Sequence, residues 1–304
     1  MPVIEVRDLR KAYGDLQAVA GVAFDVAEGE VFGMLGPNGA GKTTTVEILE
    51  GLRIRDSGEV SVLGLDPATS GQEFKRLVGV QLQQVALYPR LRVHEVISLF
   101  GSFYKQQAET DELIALMGLQ DRRNARIAEL SGGQAQRLSV ALAVVNKPRL
   151  VFLDEPSTGM DPQARRNLWE IIEGFKADGM TVVLTTHYME EAERLCDRVA
   201  VMDHGRIIAL DSPGALVRAS FDEDAIEFVS NNGLTADDMS GLAGVTSATS
   251  QGSAHSIFSS DIPRTMGSLL ELAQERGAPL ESMRVRHATL EDVFLKLTGR
   301  TLRD

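Results

Sequence analysis

The stretch Gly36-Pro37-Asn38-Gly39-Ala40-Gly41-Lys42-Thr43 constrains this chain more than any other. It fits the pattern G-x-x-x-x-G-K-[ST]. Its flanks fit too: the apolar run Val31-Phe32-Gly33-Met34-Leu35 precedes it, and a helical pattern through Val46, Ile48 and Leu49 follows. In such a loop the glycines let backbone N–H groups curl around an anion, and the helix N-terminus adds positive potential. Lys42 is then expected to reach the β- and γ-phosphates of a nucleotide, with Thr43 on Mg²⁺ and Thr44 beside the phosphates. A glycine-rich turn without a ligand is the plain alternative. The strand before and the helix after argue against it.

The surrounding pattern predicts an α/β domain. Leu150–Leu153, Thr181–Thr185 and Val199–Met202 are further short apolar runs, as a parallel sheet covered on both faces requires. The stretches between them are long enough for crossover helices. Ile4–Arg7 and Val22–Val26 alternate instead and predict antiparallel strands with one wetter face. Residues 88–129 read as helical, with Val93, Val96, Ile97 and Phe100 on one face and Leu113, Leu116 and Met117 repeating the pattern.

Composition shifts after Ser212-Pro213-Gly214. Residues 241–260 are rich in Ser, Gly, Ala and Thr. Strand-like pieces surround them at Ala225–Val229, Ser256–Ser259 and Ser282–Arg286, and a helix is predicted over Pro263–Arg276. In the last helix Thr289 and Asp292 form a capping box, Leu290, Val293, Phe294 and Leu297 share a face, and Gly299 ends the run. The expected organisation is a nucleotide-binding domain over 1–219, with a helical subdomain at about 88–140, and a small α+β accessory domain over 220–304.

Charge and cysteine content narrow the function. Of 304 residues, 31 are Lys or Arg and 43 are Asp or Glu, a net charge of −12, which argues against a duplex-DNA groove binder. The single cysteine, Cys196, excludes an internal disulfide and fits a reducing compartment. Met1-Pro2-Val3-Ile4-Glu5 has neither a basic region nor an apolar core, so no signal peptide is expected. No apolar run reaches the roughly 18 residues of a spanning helix. A cytoplasmic chain is expected, one that works at a membrane only through a partner.

Two further segments carry chemistry. Asp154 and Glu155 close the run Leu150–Leu153, where a carboxylate beside the phosphate loop can hold Mg²⁺ and the next can polarise water. Adjacent strand residues point to opposite sides, so the two acids are expected to do different jobs. Leu130-Ser131-Gly132-Gly133-Gln134 opens a helix that continues through Leu138 and Leu142, which offers a second anion site at its N-terminus. An ordinary Ser N-cap is the alternative there.

These motifs, in this order, resemble the nucleotide-binding subunits of ABC transporters over about residues 3–215. Leu130–Gln134 reads as the family signature LSGGQ, and Gly36–Thr43 and Leu150–Glu155 read as its Walker A and Walker B motifs. The fold the resemblance implies is the P-loop NTPase cassette: a RecA-like α/β core, an antiparallel β piece and a helical subdomain. It also implies roles. Ser157-Thr158-Gly159-Met160-Asp161 resembles the D-loop, and Asp161 joins the nucleotide set. His187 stands where the switch histidine follows its strand, Tyr13 where an aromatic stacks on adenine, and Gln83 (or its neighbour Gln84) in the Q-loop as a catalytic and metal-contacting residue.

Residues Ala288–Gly299 are similar to the C-terminal end of drug-resistance, daunorubicin-type, ABC-2 exporter ATPases. The resemblance therefore implies a homodimer that sandwiches ATP and Mg²⁺ and hydrolyses ATP to drive export. Each site would pair Lys42, Thr43, Glu155 and His187 of one chain with Ser131, Gly132, Gly133 and Gln134 of the other. The implied partner is a separate integral membrane permease, with no nucleic acid, at the inner face of the membrane. The alternative is a soluble ABC ATPase acting on ribosomes or nucleic acid. Such proteins usually carry two fused cassettes or a long coiled coil, neither of which this sequence shows. Cys196 is expected to be a packed thiol, and Glu190, Glu191 and Glu193 a solvated helix face.

Overall fold

The computed structural model describes residues 2–81, 87–221, 223–230 and 234–298. It divides into two compact units, with the division between Pro213 and Gly214.

The first unit opens with two long strands, β1 (Pro2–Tyr13) and β2 (Leu16–Ala27), paired antiparallel with Ile4 opposite Val26 and Val6 opposite Phe24. Next come β3 (Val31–Leu35), α1 (Lys42–Leu49), β4 (Ser57–Val62), α2 (Gly71–Leu77) and β5 (Val78–Gln81). Helices α3 (Val93–Gly101), α4 (Thr110–Leu116) and α5 (Gly132–Ala143) follow. The chain then alternates: β6 (Leu150–Asp154), α6 (Pro162–Ala177), β7 (Thr181–Thr186), α7 (Met189–Leu195), β8 (Arg198–Asp203) and β9 (Arg206–Asp211), and the division falls at the start of α8 (Pro213–Ser220).

Strands β2-β1-β4 make an antiparallel sheet, and β5-β6-β7-β3-β8-β9 make a second one. In the second sheet β5 to β8 run parallel, and β3, β6 and β7 are buried at every position, which explains their unbroken apolar runs. The edge strand β9 is antiparallel to β8 because His204 and Gly205, at φ 47° and 72°, form a tight two-residue reversal. One apolar core joins the two sheets, with Phe24 and Phe32 stacked at 5.1 Å.

The helical segment differs from expectation at one position. Val93, Val96, Ile97, Leu113 and Met117 are buried, but Leu116 is 47% exposed and Ile114 takes its place. The buried stripe of α4 runs through Leu113, Ile114 and Met117, which puts Leu116 on its flank.

The second unit contains β10 (Asp224–Val229), α9 (Ala236–Ser240), β11 (Val245–Gln251), β12 (Ala254–Ser259), α10 (Ile262–Arg276), β13 (Glu281–Arg286) and α11 (Leu290–Thr298). Its antiparallel sheet has the order β11-β12-β10-β13, so β10-α9-β11-β12-α10-β13 is a split βαβ arrangement of the ferredoxin-like kind. It has its own core around Ile226, Phe228, Met239, Ile257 and Leu269. Asp261 caps α10, and Gly277 ends it at φ 60°. Thr289 and Asp292 cap α11 reciprocally. On that helix Leu290, Val293 and Phe294 are buried, whereas Leu297 is exposed and lies outside the expected face. Gly299, read as the stop of that helix, lies outside the described residues.

Candidate functional site

The strands that carry the motifs stop at one edge of the parallel sheet. Strand β3 ends at Leu35 opposite Thr186 of β7, and Asp154 at the end of β6 lies opposite Thr185 of β7. Loops leaving that edge therefore converge, as they do in open α/β sheets generally.

The loop from Gly36 to Gly41 delivers the N-terminus of α1. Gly41 caps that helix at φ 99°, and a Cβ there would collide with the Ala18 carbonyl oxygen. Only glycine meets both demands. The Thr45 N–H and hydroxyl both donate to the Gly41 carbonyl, at 2.9 and 2.8 Å, and fix the first turn. Lys42 is buried and donates from Nζ to the carbonyls of Gly36 (2.7 Å) and Pro37 (3.0 Å). Burial pulls its ammonium below the ordinary lysine range, while Glu155 and Asp154 act in the opposite direction.

A cleft of about 450 Å³ opens over this loop. Asn38, Gly39, Gly41, Lys42, Thr43 and Thr44 of the loop line it together with Glu155 and with Tyr13, Leu16 and Ala18. Gly36, Pro37 and Ala40 shape the loop without lining the cleft. Tyr13 is 39% exposed, and the cations of Arg53 and Lys11 stand 5.2 and 5.6 Å from its ring centroid. Glu47 holds Arg53 at 2.6 Å and Asp56 holds Lys11 at 2.6 Å. The tyrosine therefore offers an aromatic face in a cationic setting.

The two acids are arranged differently from the strand alternation expected of them. The strand ends at Asp154, and Glu155 adopts φ 48°, in the left-handed region. Its N–H reaches both the Thr185 carbonyl (3.1 Å) and the Thr185 hydroxyl (3.0 Å), which hold the bend. The same hydroxyl donates to Asp154 Oδ1. Burial pushes the Asp154 carboxyl up, the Thr185 hydrogen bond opposes this, and the neighbouring Glu155 charge adds to it. Glu155 goes the other way. Its hydrogen bond with His187 (Nδ1 to Oε2, 3.4 Å) pulls it down, and Thr158 donates to the same oxygen at 3.1 Å.

Other expected site residues lie elsewhere. Among the described residues, Ser131, Gly132, Gly133 and Gln134 do not line the cleft. Ser131 caps α5 in a reciprocal pair with Gln134, its hydroxyl accepting the Gln134 N–H at 3.3 Å. Gly133 abuts the loop before α6, since a Cβ there would stand 3.4 Å from Met160 Cε. Asp161 caps α6, accepting from the N–H groups of Gln163 (3.0 Å) and Ala164 (2.9 Å). Gln83 and Gln84 lie outside the described residues. Cys196 is buried, and burial raises its thiol. Glu190 and Glu193 face outward as expected, but Glu191 is fully buried and accepts from Trp169 Nε1 at 2.8 Å, so it belongs to the packing of α7 on α6.

Sequence reasoning missed Thr185, Thr158 and Arg53. The Thr185 role depends on register between β6 and β7, which no local pattern reveals. Thr158 stands three residues after Glu155, but its role requires the left-handed bend at Glu155. A further missed acid, Glu50, ends α1. It is 3% exposed and its Oε1 has no hydrogen-bond partner among the described residues. Burial, helped by Asp154 and Glu47, pushes its carboxyl up to about 8.

The chain as a whole is similar to known proteins. A family model described as ABC transporter matches residues 19–158. The Nod factor export ATP-binding protein I of Burkholderia lata is 39% identical over 314 residues, spanning 100% of both chains. The linearmycin resistance ATP-binding protein LnrL of Bacillus subtilis is 35% identical over 317 residues, covering 99% of this chain and 100% of its own. Among solved structures, an ATP-binding subunit of an ABC transporter superposes with a TM-score of 0.65 at 29% identity, over 72% of this chain and 93% of that one. A dimeric ATP-binding cassette in a post-hydrolysis state with ADP and Pi gives 0.63 at 25% identity, over 69% and 98%.

The Glu50 carboxyl supplies a stability test. Its folded value, about 8, lies above the ordinary 4.5. The folded chain thus keeps a proton that the unfolded chain releases, and stability falls as pH rises through that window. Glu50→Gln should flatten this slope and stabilise the protein by roughly 3–5 kcal/mol above pH 8, read from urea denaturation at pH 6 and 8.5. Parallel pH dependence in wild type and variant would contradict the assignment.

Proposed function

This chain belongs to the ATP-binding subunits of ABC transporters, and from that premise we propose that it powers export through a separate membrane permease. It is an ATPase of the P-loop fold. The observation that carries the proposal is the split of its site. Tyr13, Lys42, Thr43 and Glu155 meet in one cleft, while the signature Ser131–Gln134 stands outside it at the start of α5. Two copies placed head to tail let the signature of one close on nucleotide in the cleft of the other. The relatives named for Nod factor export and for linearmycin resistance support the direction of transport. No described helix is long and apolar enough to cross a membrane, so on this reading the chain acts at the inner membrane face through its partner.

Within the cleft each residue has a proposed role. Adenine stacks on Tyr13. The N–H groups of residues 38–44 and the Lys42 ammonium receive the phosphates. Lys42 exchanges its two carbonyl partners for phosphate oxygens, which carry more charge. The residues also fit Mg²⁺. That ion needs one or two carboxylates and hydroxyls beside substrate phosphate, not an all-protein cage, and no cluster of three or more ligating side chains occurs among the described residues. Asp154 and Thr43 would hold it, and it would neutralise charge on the phosphates. Glu155, kept ionised by His187, is suited to orienting water by its charge. That suffices for a reaction whose transition state is largely dissociative. His187 steadies the γ-phosphate from beside Glu155, and Ser131 and Gly133 of a second copy clamp it.

Two substitutions test this reading. Glu155→Gln should lower ATP turnover by about 10²–10⁴-fold while ATP still binds, and should give an ATP-dependent dimer in sedimentation velocity. Turnover at the wild-type rate, or a monomer at saturating ATP, would remove the proposal. Tyr13→Ala should weaken ATP binding by a few-fold to tens-fold, because a base stacked on an aromatic side chain contributes about 1–3 kcal/mol. Equal affinities by titration calorimetry would show that adenine does not use that ring.

A further inference from the structure

A continuous stack of rings and cations leaves the reaction centre and enters the packing of α6 against α7. The His187 ring lies 4.2 Å from the Tyr188 ring at an interplanar angle of 39°. The Arg165 guanidinium comes next, 4.9 Å from the Tyr188 centroid and 5.3 Å from the Trp169 ring. The Arg194 guanidinium also stands over the Trp169 ring, at 5.4 Å. The inner end is tied to chemistry, since His187 Nδ1 stands 3.4 Å from Glu155 Oε2. The outer end is rigid, since Trp169 is buried and donates to Glu191 at 2.8 Å.

Ring faces hold the middle member. Arg165 Nε is buried without a hydrogen-bond partner among the described residues. Its ion pair with Glu190 spans 3.4 Å to a side chain that is 73% exposed, a kind of contact that contributes little. Two aromatic faces supply the stronger, geometrically specific attraction. Arg165 also sits next to Ala164, whose Cβ would lie 3.5 Å from a Cβ on Gly133. One turn of α6 therefore touches both the signature segment and the stack that ends at His187.

We propose that Arg165 is a positioning residue for the ATPase reaction: clamped between Tyr188 and Trp169, it holds the His187 ring beside Glu155 and links that contact to α6. The inference rests on the reading that Glu155 and His187 serve hydrolysis. Arg165 itself does not line the nucleotide cleft, so its loss should alter the rate and spare binding.

The chain contains one tryptophan, so emission from Trp169 reports on the stack without labelling. Arg165→Ala should lower kcat by about 10–100-fold, the scale of a small misplacement at a reacting group, with KM for ATP within about two-fold of wild type. Arg165→Lys keeps the charge but loses the plane, and should recover little of the rate. Glu190→Ala removes the ion pair and should leave turnover unchanged. In Glu155→Gln protein, ATP should change Trp169 emission. Adding Arg165→Ala should abolish that change while ATP still saturates the site. Tyr188→Ala breaks the same stack from its other face and should reproduce the kcat loss, which covers misfolding of either variant. An unchanged kcat in Arg165→Ala beside a dead Glu155→Gln overturns the inference alone, as does an emission response that survives the double substitution. Wild-type turnover in Glu155→Gln overturns the reading beneath it and the inference with it.

Discussion

The Thr185 hydroxyl receives the Glu155 N–H and donates to Asp154, so one side chain of β7 sets both acids at the edge of the sheet. That arrangement depends on register. Asp154 is opposite Thr185 because β6 and β7 run parallel from Leu150 opposite Thr181 onward. A slip of one residue would turn Thr185 away from Asp154. The pairing of β6 with β7 thereby aims the carboxylates. The left-handed backbone at Glu155 is strained for a residue with a Cβ, by about 1–3 kcal/mol, and two bonds to Thr185 hold it there. The bend separates the acids more sharply than strand alternation would. Asp154 stays buried with a raised carboxyl, and Glu155 emerges into the cleft, ionised, beside His187.

The same edge leaves the site incomplete within one chain. The phosphate loop supplies backbone donors and Lys42 on one side, and nothing from the α5 N-terminus reaches the cleft. Ser131 meanwhile satisfies its own helix end, as an isolated N-cap does. Both the N-cap role of that serine and its proposed role in a second chain's site fit this geometry, because capping holds the segment in one shape. On the proposed reading, nucleotide trapped between two such surfaces would bind them together, and cleavage of its terminal phosphate would remove the charge that both surfaces recognise. On this view catalysis and mechanical work share a single contact.

The sequence revealed the parts of the fold with strong local signals and missed those fixed by partners. Strands β3, β6, β7 and β8 were legible because burial on both faces leaves an unbroken apolar run. The phosphate loop was legible because glycine and lysine are demanded at fixed offsets. The edge strand β11 was not, since Val245–Gln251 faces solvent along most of its length and its Ser, Thr and Ala residues carry no alternation. Strand β9 was missed although Asp203-His204-Gly205-Arg206 contains a usable turn signal. Glu191 was read as solvated because an acid in an acidic run usually is. Only the Trp169 N–H opposite explains its burial. Thr185, Thr158 and Arg53 act through residues distant in sequence or through a bend that no pattern announces.

The electrostatics of the site place function against stability. Glu50 at the C-terminal end of α1 faces the negative end of that helix and feels Asp154 and Glu47, and all three factors disfavour its ionised form, as does burial. Asp154 is likewise raised by burial and by Glu155. Lys42 is the cation that answers both Asp154 and Glu155, and its own burial works against its charge. A core built for stability alone would not gather these groups behind one loop. A ligand that binds the folded chain and not the unfolded one stabilises it by linkage, so nucleotide at this loop adds to the stability of the fold that gathers these groups. On the proposed function, affinity for nucleotide and local stability would be coupled through the same side chains.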